Sequence, residues 1–254
     1  MPLRIQRFGW RKDALDRRDI PFTPALKAEA LPSFADLRMT PFMPPVYDQG
    51  ELGSCTANAI ASAMQFERRR QALADFTPSR LMIYYDERKL EGTIPSDAGA
   101  EIRDGIKSVA VTGVCPESEW PYDIEQFAAA PPAQAYSDAL KDRAVGYRSI
   151  DNRDLAALKS CLAEGYPFVF GVTLFSAFDG VGFDGLVPMP AAGETPIGAH
   201  AMKAVGYSDA SGALIVKNSW GTDWGCGGFC LMPYAYLTDA DLADDFWTIR
   251  LVSP

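Results

Sequence analysis

Hydrophobic and polar positions along this 254-residue chain change their period near its middle. In the first half, Cys55-Thr56-Ala57-Asn58-Ala59-Ile60-Ala61-Ser62-Ala63-Met64-Gln65-Phe66 is small and apolar on nearly every side, which predicts a buried central helix with Ser54 as its N-cap. Arg80-Leu81-Met82-Ile83-Tyr84-Tyr85 predicts a second helix over 79–90, and a third is expected over 100–111. Leu155, Leu158 and Leu162 recur at three- and four-residue spacing and stop before Gly165, predicting a helix over 152–164. From there the period shortens. Segments 168–174, 201–207, 213–217, 228–232 and 246–251 read as strands separated by Gly, Pro and Asp turns. Helices first and strands later give an α+β fold, a helical lobe (about 46–132) packed on a β-rich lobe (about 133–254). The run 128–133, Ala-Ala-Ala-Pro-Pro-Ala, is the best linker candidate.

Composition adds little to that picture, and charge narrows it. Apolar residues at 48% and charged residues at 22% are those of an ordinary globular body. A net charge of −9 argues against nucleic acid or an anionic membrane as partner. No apolar run is long enough to span a bilayer, and the first residues have basic groups but no apolar segment of an export signal. The chain as it stands is therefore expected in the cytoplasm or exported without a leader. Residues 1–30 form a separate basic arm, with Arg4, Arg7, Arg11, Lys12, Arg17, Arg18 and Lys27 against Asp13, Asp16, Asp19 and Glu29. Opposite charge favours the arm lying on the acidic body of 31–254. Two placements are open, over a cleft or as a strap behind the body. Pro41 and Pro44-Pro45 then keep the entry into the body extended.

Candidate chemistry concentrates on Cys55, His200 and Asn218. His200 is the single histidine of the chain, so imidazole chemistry has one possible owner. Cys55 opens a predicted helix, whose N-terminal N–H groups and dipole favour a thiolate. A neighbouring imidazole takes the thiol proton, and Asn218 is suited to hold that ring by its far nitrogen. Trp220 is placed to shield that bond from water. Gln49 and the Cys55 N–H are donors for an oxyanion across the Gly50 and Gly53 turns. The other cysteines (Cys115, Cys161, Cys226, Cys230) are expected as reduced thiols, with three pairings open if they oxidise. Cys226-x-x-x-Cys230 lacks histidine partners, so no metal or other cofactor is expected.

Three segments together resemble the papain/cathepsin family of cysteine peptidases: Gln49-Gly50-x-x-Gly53-Ser54-Cys55, His200-Ala201-x-x-Ala204-Val205-Gly206-Tyr207, and Lys217-Asn218-Ser219-Trp220-Gly221-x-x-Trp224-Gly225. The segment from Gly113 to Tyr122 looks like the family's mid-chain stretch, and Cys55 and His200 are separated by the family's interval of about 130–150 residues. The resemblance implies a two-lobe papain-like fold with the site in the cleft between the lobes. It also implies hydrolysis of peptide bonds through an acyl-enzyme on Cys55, with His200 as proton shuttle, Asn218 as orienter and Gln49 in the oxyanion hole. Peptide or protein substrate would lie extended along Gly53, Ala98, Gly99, Ala199 and Trp220, with Ala98-Gly99 in the place of the family's substrate-pairing glycines. Three positions depart from the family pattern: Leu52 stands where a cysteine is usual, Thr56 where Trp or Tyr follows the nucleophile, and Ala199 where Asp often precedes the histidine. No long helical pro-region precedes the body. Related acyl transfer, as in a transpeptidase or amidase, is the alternative; a silent binding relative is disfavoured because every catalytic position is filled.

Overall fold

The computed structural model of the chain describes residues 8–253, so Arg4 and Arg7 of the arm lie outside the described residues. In chain order the elements are β1 (Trp10–Arg11), β2 (Phe34–Asp36), α1 (Cys55–Arg70), α2 (Arg80–Glu91), β3 (Ala100–Glu101), α3 (Ile102–Val111), α4 (Ala133–Ala139), β4 (Ala144–Ile150), α5 (Leu155–Ala163), β5 (Phe168–Phe175), β6 (Pro196–Ser208), β7 (Ala213–Lys217), β8 (Phe229–Pro233), α6 (Tyr234–Leu237) and β9 (Ala243–Val252).

α1 runs between the two halves of the core. Cys55 through Arg68 are all buried, as a helix small and apolar on every face must be. Its N-terminus departs from expectation. Ser54 does not cap the helix with its side chain; its hydroxyl instead meets the Tyr122 hydroxyl at 2.5 Å. The backbone at Ser54 (φ −99, ψ 28) lacks the extended geometry that aims a cap side chain at the first turn. α2 follows the usual rules, with Ser79 accepting from the Met82 N–H and Gly92 closing the end in the left-handed region (φ 71).

Seven of the strands form one antiparallel sheet in the order β4-β9-β5-β6-β7-β8, with β2 added on β6, and β1 and β3 form a separate parallel pair. Its interior is filled by Phe168, Phe170, Phe246, Leu214 and Val216 with the α5 residues Leu158 and Leu162. β4 and the β2 pairing had no periodic signal in the sequence: β4 is buried only at its ends, Ala144 and Ile150, with no alternation between them, and β2 has three residues. A second cluster joins α1, α2 and α3 to the sheet through Ile60, Met64, Ile106, Val169, Ala201 and Trp247. Among the described residues no helix is long and apolar enough to cross a membrane. The segment 128–133 is less a free linker than expected, since Pro131 is buried and Ala133 already begins α4.

Candidate active site

Cys55 is the first residue of α1 and is fully buried. His200 comes from β6 and Asn218 directly follows β7, two strands paired antiparallel with Lys203 opposite Lys217. That register brings an imidazole and an amide 18 residues apart into contact: His200 Nε2 lies 2.8 Å from Asn218 Oδ1. The same Oδ1 accepts the Ser219 N–H at 2.8 Å, which fixes the amide as acceptor toward the ring. His200 therefore carries its proton on Nε2, and Nδ1 is left as the basic nitrogen, buried and without a hydrogen-bond partner. The Trp220 ring packs over the imidazole at 4.8 Å and is itself buried.

Gln49 is held at both ends of its amide. Oε1 accepts from Ser219 Oγ at 2.7 Å, and Nε2 donates to the Leu52 carbonyl at 2.9 Å. Its backbone N–H also reaches the Ser219 carbonyl at 2.9 Å. Behind it the Tyr122 hydroxyl donates to the Gln49 carbonyl at 2.9 Å, and the Arg80 guanidinium stacks 3.9 Å over the Tyr122 ring while donating to the Asp48 carbonyl. Ser219, Tyr122 and Arg80 were not singled out from sequence. Their motif neighbours Asn218 and Pro121 are a local signal for the first two; Arg80 has none.

The arm enters this site. The Phe8 ring stands edge-on to His200 at 6.3 Å and tilted against Trp220 at 6.2 Å. The Gly9 carbonyl accepts the Ala100 N–H at 2.7 Å, and β1 then pairs in parallel with β3, Trp10 opposite Ala100. Gly9 has to be glycine here, because a Cβ would overlap the Gly53 carbonyl. Gly99, in the left-handed region at φ 70, leaves room for the Gly9 carbonyl in the same way. Among the expected substrate contacts, Gly53, Gly99 and Trp220 thus touch or closely approach the arm, Ala199 is half-buried beside His200, and Ala98 is exposed.

Burial under this cover sets the electrostatics. The Cys55 thiol is pushed up to about 12 by desolvation, partly offset by backbone N–H groups of Ala201, Gly9 and Thr56. His200 is pushed down to about 4 by the same burial, against the Asn218 bond that favours its charged form. The helix N-terminus and imidazole were expected to lower the thiol. Desolvation is instead the largest influence on both groups and favours the neutral form of each.

A papain family cysteine protease model matches residues 31–245. The chain belongs to the papain family of cysteine proteases. It is 41% identical to an uncharacterized peptidase C1-like protein of Acanthamoeba polyphaga mimivirus, over 97% of this chain and 87% of that protein. It is 30% identical to cathepsin K of Gallus gallus, over 79% of this chain but 58% of the cathepsin. Among solved structures it resembles xylellain, a cysteine protease from Xylella fastidiosa, at 42% identity and a TM-score of 0.88, covering 96% of this chain and 95% of that one. The α+β papain-like fold and cysteine peptidase activity follow from this membership. As papain-family chains go, this one keeps the motifs that supply a thiol, an imidazole and two amides.

Proposed function

We propose that Cys55 is the nucleophile, His200 the proton shuttle, Asn218 the orienter and Gln49 with the Cys55 N–H the oxyanion hole of this peptidase. The observation that carries the assignment is the His200 ring, pinned by Asn218 through Nε2 and left with a buried, unpartnered Nδ1, while the backbone N–H of the next residue, Ala201, meets the Cys55 thiol. In the open site Nδ1 takes the thiol proton, and the sulfur attacks the peptide carbonyl. The carbonyl oxygen gathers negative charge against the Gln49 and Cys55 donors. The C–N bond breaks as His200 gives its proton to the departing amine. Water then loses a proton to His200 and attacks the thioester, and the sulfur leaves with the free acid formed.

The same reading makes residues 8–13 a reversible cover. A substrate places its leaving amine by His200 and its acyl side along the 98–100 edge. The arm runs the opposite way, from Phe8 at His200, past Gly9, to Trp10 at Ala100. Reversed, it offers the Gly9 N–H to the sulfur where a substrate would offer a carbonyl, so it occupies the cleft without being cut.

The test is alkylation of the full chain with limiting iodoacetamide, the modified cysteine located by mass spectrometry. Slow reaction in the covered protein, fast single-site modification of Cys55 once the cover is weakened, and slowing by His200→Ala support the assignment. Cys226 is exposed and serves as the reference thiol, and a Cys55 that reacts no faster than the buried Cys115, Cys161 and Cys230 once the cover is weakened would sink it.

A further inference from the structure

Both donors of the oxyanion hole are tied from behind to one guanidinium. Arg80 is the first residue of α2, where a cation opposes the helix dipole, yet it is buried. Its place is therefore set by partners and not by helix preference. Glu117 grips it as a fork, with Nε donating to Oε2 and Nη2 to Oε1, each at 2.8 Å. That bidentate pairing fixes the plane of the guanidinium and leaves Nη1 for the site.

Nη1 donates twice. One bond goes to the Asp48 carbonyl at 2.9 Å, one residue before Gln49. The other goes to Asn58 Oδ1 at 3.1 Å. Asn58 in turn donates through Nδ2 to the Ser54 carbonyl at 2.9 Å, and that carbonyl shares its peptide group with the Cys55 N–H. The flat face of the guanidinium makes a third link. It lies 3.9 Å over the Tyr122 ring, whose hydroxyl donates to the Gln49 carbonyl at 2.9 Å and meets the Ser54 hydroxyl at 2.5 Å. Gln49 and Cys55 are separated by a turn whose middle residue, Glu51, is exposed. The spacing of the two donors is thus governed by what grips the ends of that turn, and Arg80 grips both.

Resting on the peptidase reading above, we propose that Arg80 is a positioning residue for the oxyanion: through Asp48, Asn58 and Tyr122 it holds the Gln49 amide and the Cys55 N–H at the separation the developing charge requires. It touches neither the substrate nor the sulfur. Its loss therefore slows the steps that build the oxyanion, while substrate affinity and the reactivity of the thiol stay in place. A misplacement of about 1 Å among such groups costs about 10²-fold in rate. Positive charge alone does not meet the requirement. A lysine ammonium lacks the planar fork that engages a carboxylate, two further oxygens and a ring face together.

The experiment takes as parent the full chain carrying Trp10→Ala, which weakens the cover, and adds Arg80→Met or Arg80→Lys, with folding checked by thermal unfolding. The readings are kcat and KM on a fluorogenic peptide amide, the rate of Cys55 alkylation by iodoacetamide, and the inhibition constant of a peptide nitrile. Alkylation is a displacement at carbon and builds no oxyanion. The nitrile takes the sulfur at its carbon while the thiol proton passes to its nitrogen, which then lies where the oxyanion would. The expected result is a loss of about tenfold or more in kcat and in nitrile affinity, with KM and alkylation within about threefold of the parent. A smaller loss in kcat overturns the proposal, and so does a loss carried by KM or shared by alkylation, which marks a general disturbance of the site. If Arg80→Met does not fold, Arg80→Lys decides on the same criteria. A parent that hydrolyses no peptide counts against the peptidase reading instead. Arg80 is then judged on the nitrile alone, where weakening of about tenfold or more upholds the proposal and anything less overturns it.

Discussion

Trp10→Ala in the full chain isolates the energetic weight of the cover. Trp10 buries nearly all of its surface against Gly171, Ala201 and Val169, and donates one hydrogen bond to a buried carboxylate. Truncating a side chain of this size in such a setting costs about 3–5 kcal/mol. The cost falls on the covered form alone, because in the open form the residue is solvated. At about 1.4 kcal/mol per factor of ten, the covered-to-open ratio drops by about 10² to 10³ or more. The readout is the second-order rate of Cys55 alkylation by iodoacetamide at one fixed pH, with thermal unfolding followed in parallel. The covered thiol sits at about 12 and is almost wholly protonated at neutral pH, so only the open fraction reacts. The rate should therefore rise in proportion to that fraction until the open form dominates. An acceleration below about threefold, with the body still folded, would mean that the Trp10 contacts do not govern access to the sulfur, and the argument from burial would be wrong.

Three further outcomes are expected. Burial, joined by the Asp245 charge, raises Asp13 to about 7, and burial, joined by the Asp244 charge, raises Asp245 to about 6 while the arm is docked. A raised carboxyl stabilises the docked form at low pH and loses that contribution as pH climbs through the docked values. The open fraction should thus grow between about pH 4 and 7, read as Cys55 alkylation corrected for thiolate content; an open fraction that falls over this range would contradict it. Gly171→Ala puts a methyl where the Trp10 ring lies, so it should speed alkylation of Cys55 in the covered chain, and an unchanged rate would show that the indole is not held there. Gln49→Ala in the uncovered enzyme should cost about 10² to 10³ in kcat with little change in KM, and a loss confined to KM would remove it from the oxyanion hole.

The residues of the candidate site were legible in the sequence because they lie in short local patterns. Cys55 at a helix start, His200 before an apolar strand and Asn218 before a glycine turn each keep their neighbours in sequence, so the motifs survive as words. The helices of 55–66, 79–90 and 100–111 and the five strands were legible for the same reason, a period repeated over several residues. Ser54 shows the limit, since its place in the sequence pointed to a cap while Tyr122, far along the chain, took its hydroxyl.

What the sequence could not decide was whatever depends on two distant segments meeting. The ionisation of Cys55 is such a case. Its helix position favours a thiolate, but the burial that tertiary packing imposes raises the thiol and reverses the sign. The place of Asp245 is another, because the extra residue in β9 against β5 lets its carboxylate accept from Trp10 and Asp13, and nothing in the run Asp244-Asp245-Phe246 announces that register. Sequence by itself determined which reactive groups this protein owns and which secondary structures carry them, since propensity and periodicity are local. Tertiary structure alone decided which groups are wet, which are paired and what lies across the cleft, since desolvation and strand register are properties of contacts between segments far apart in the chain.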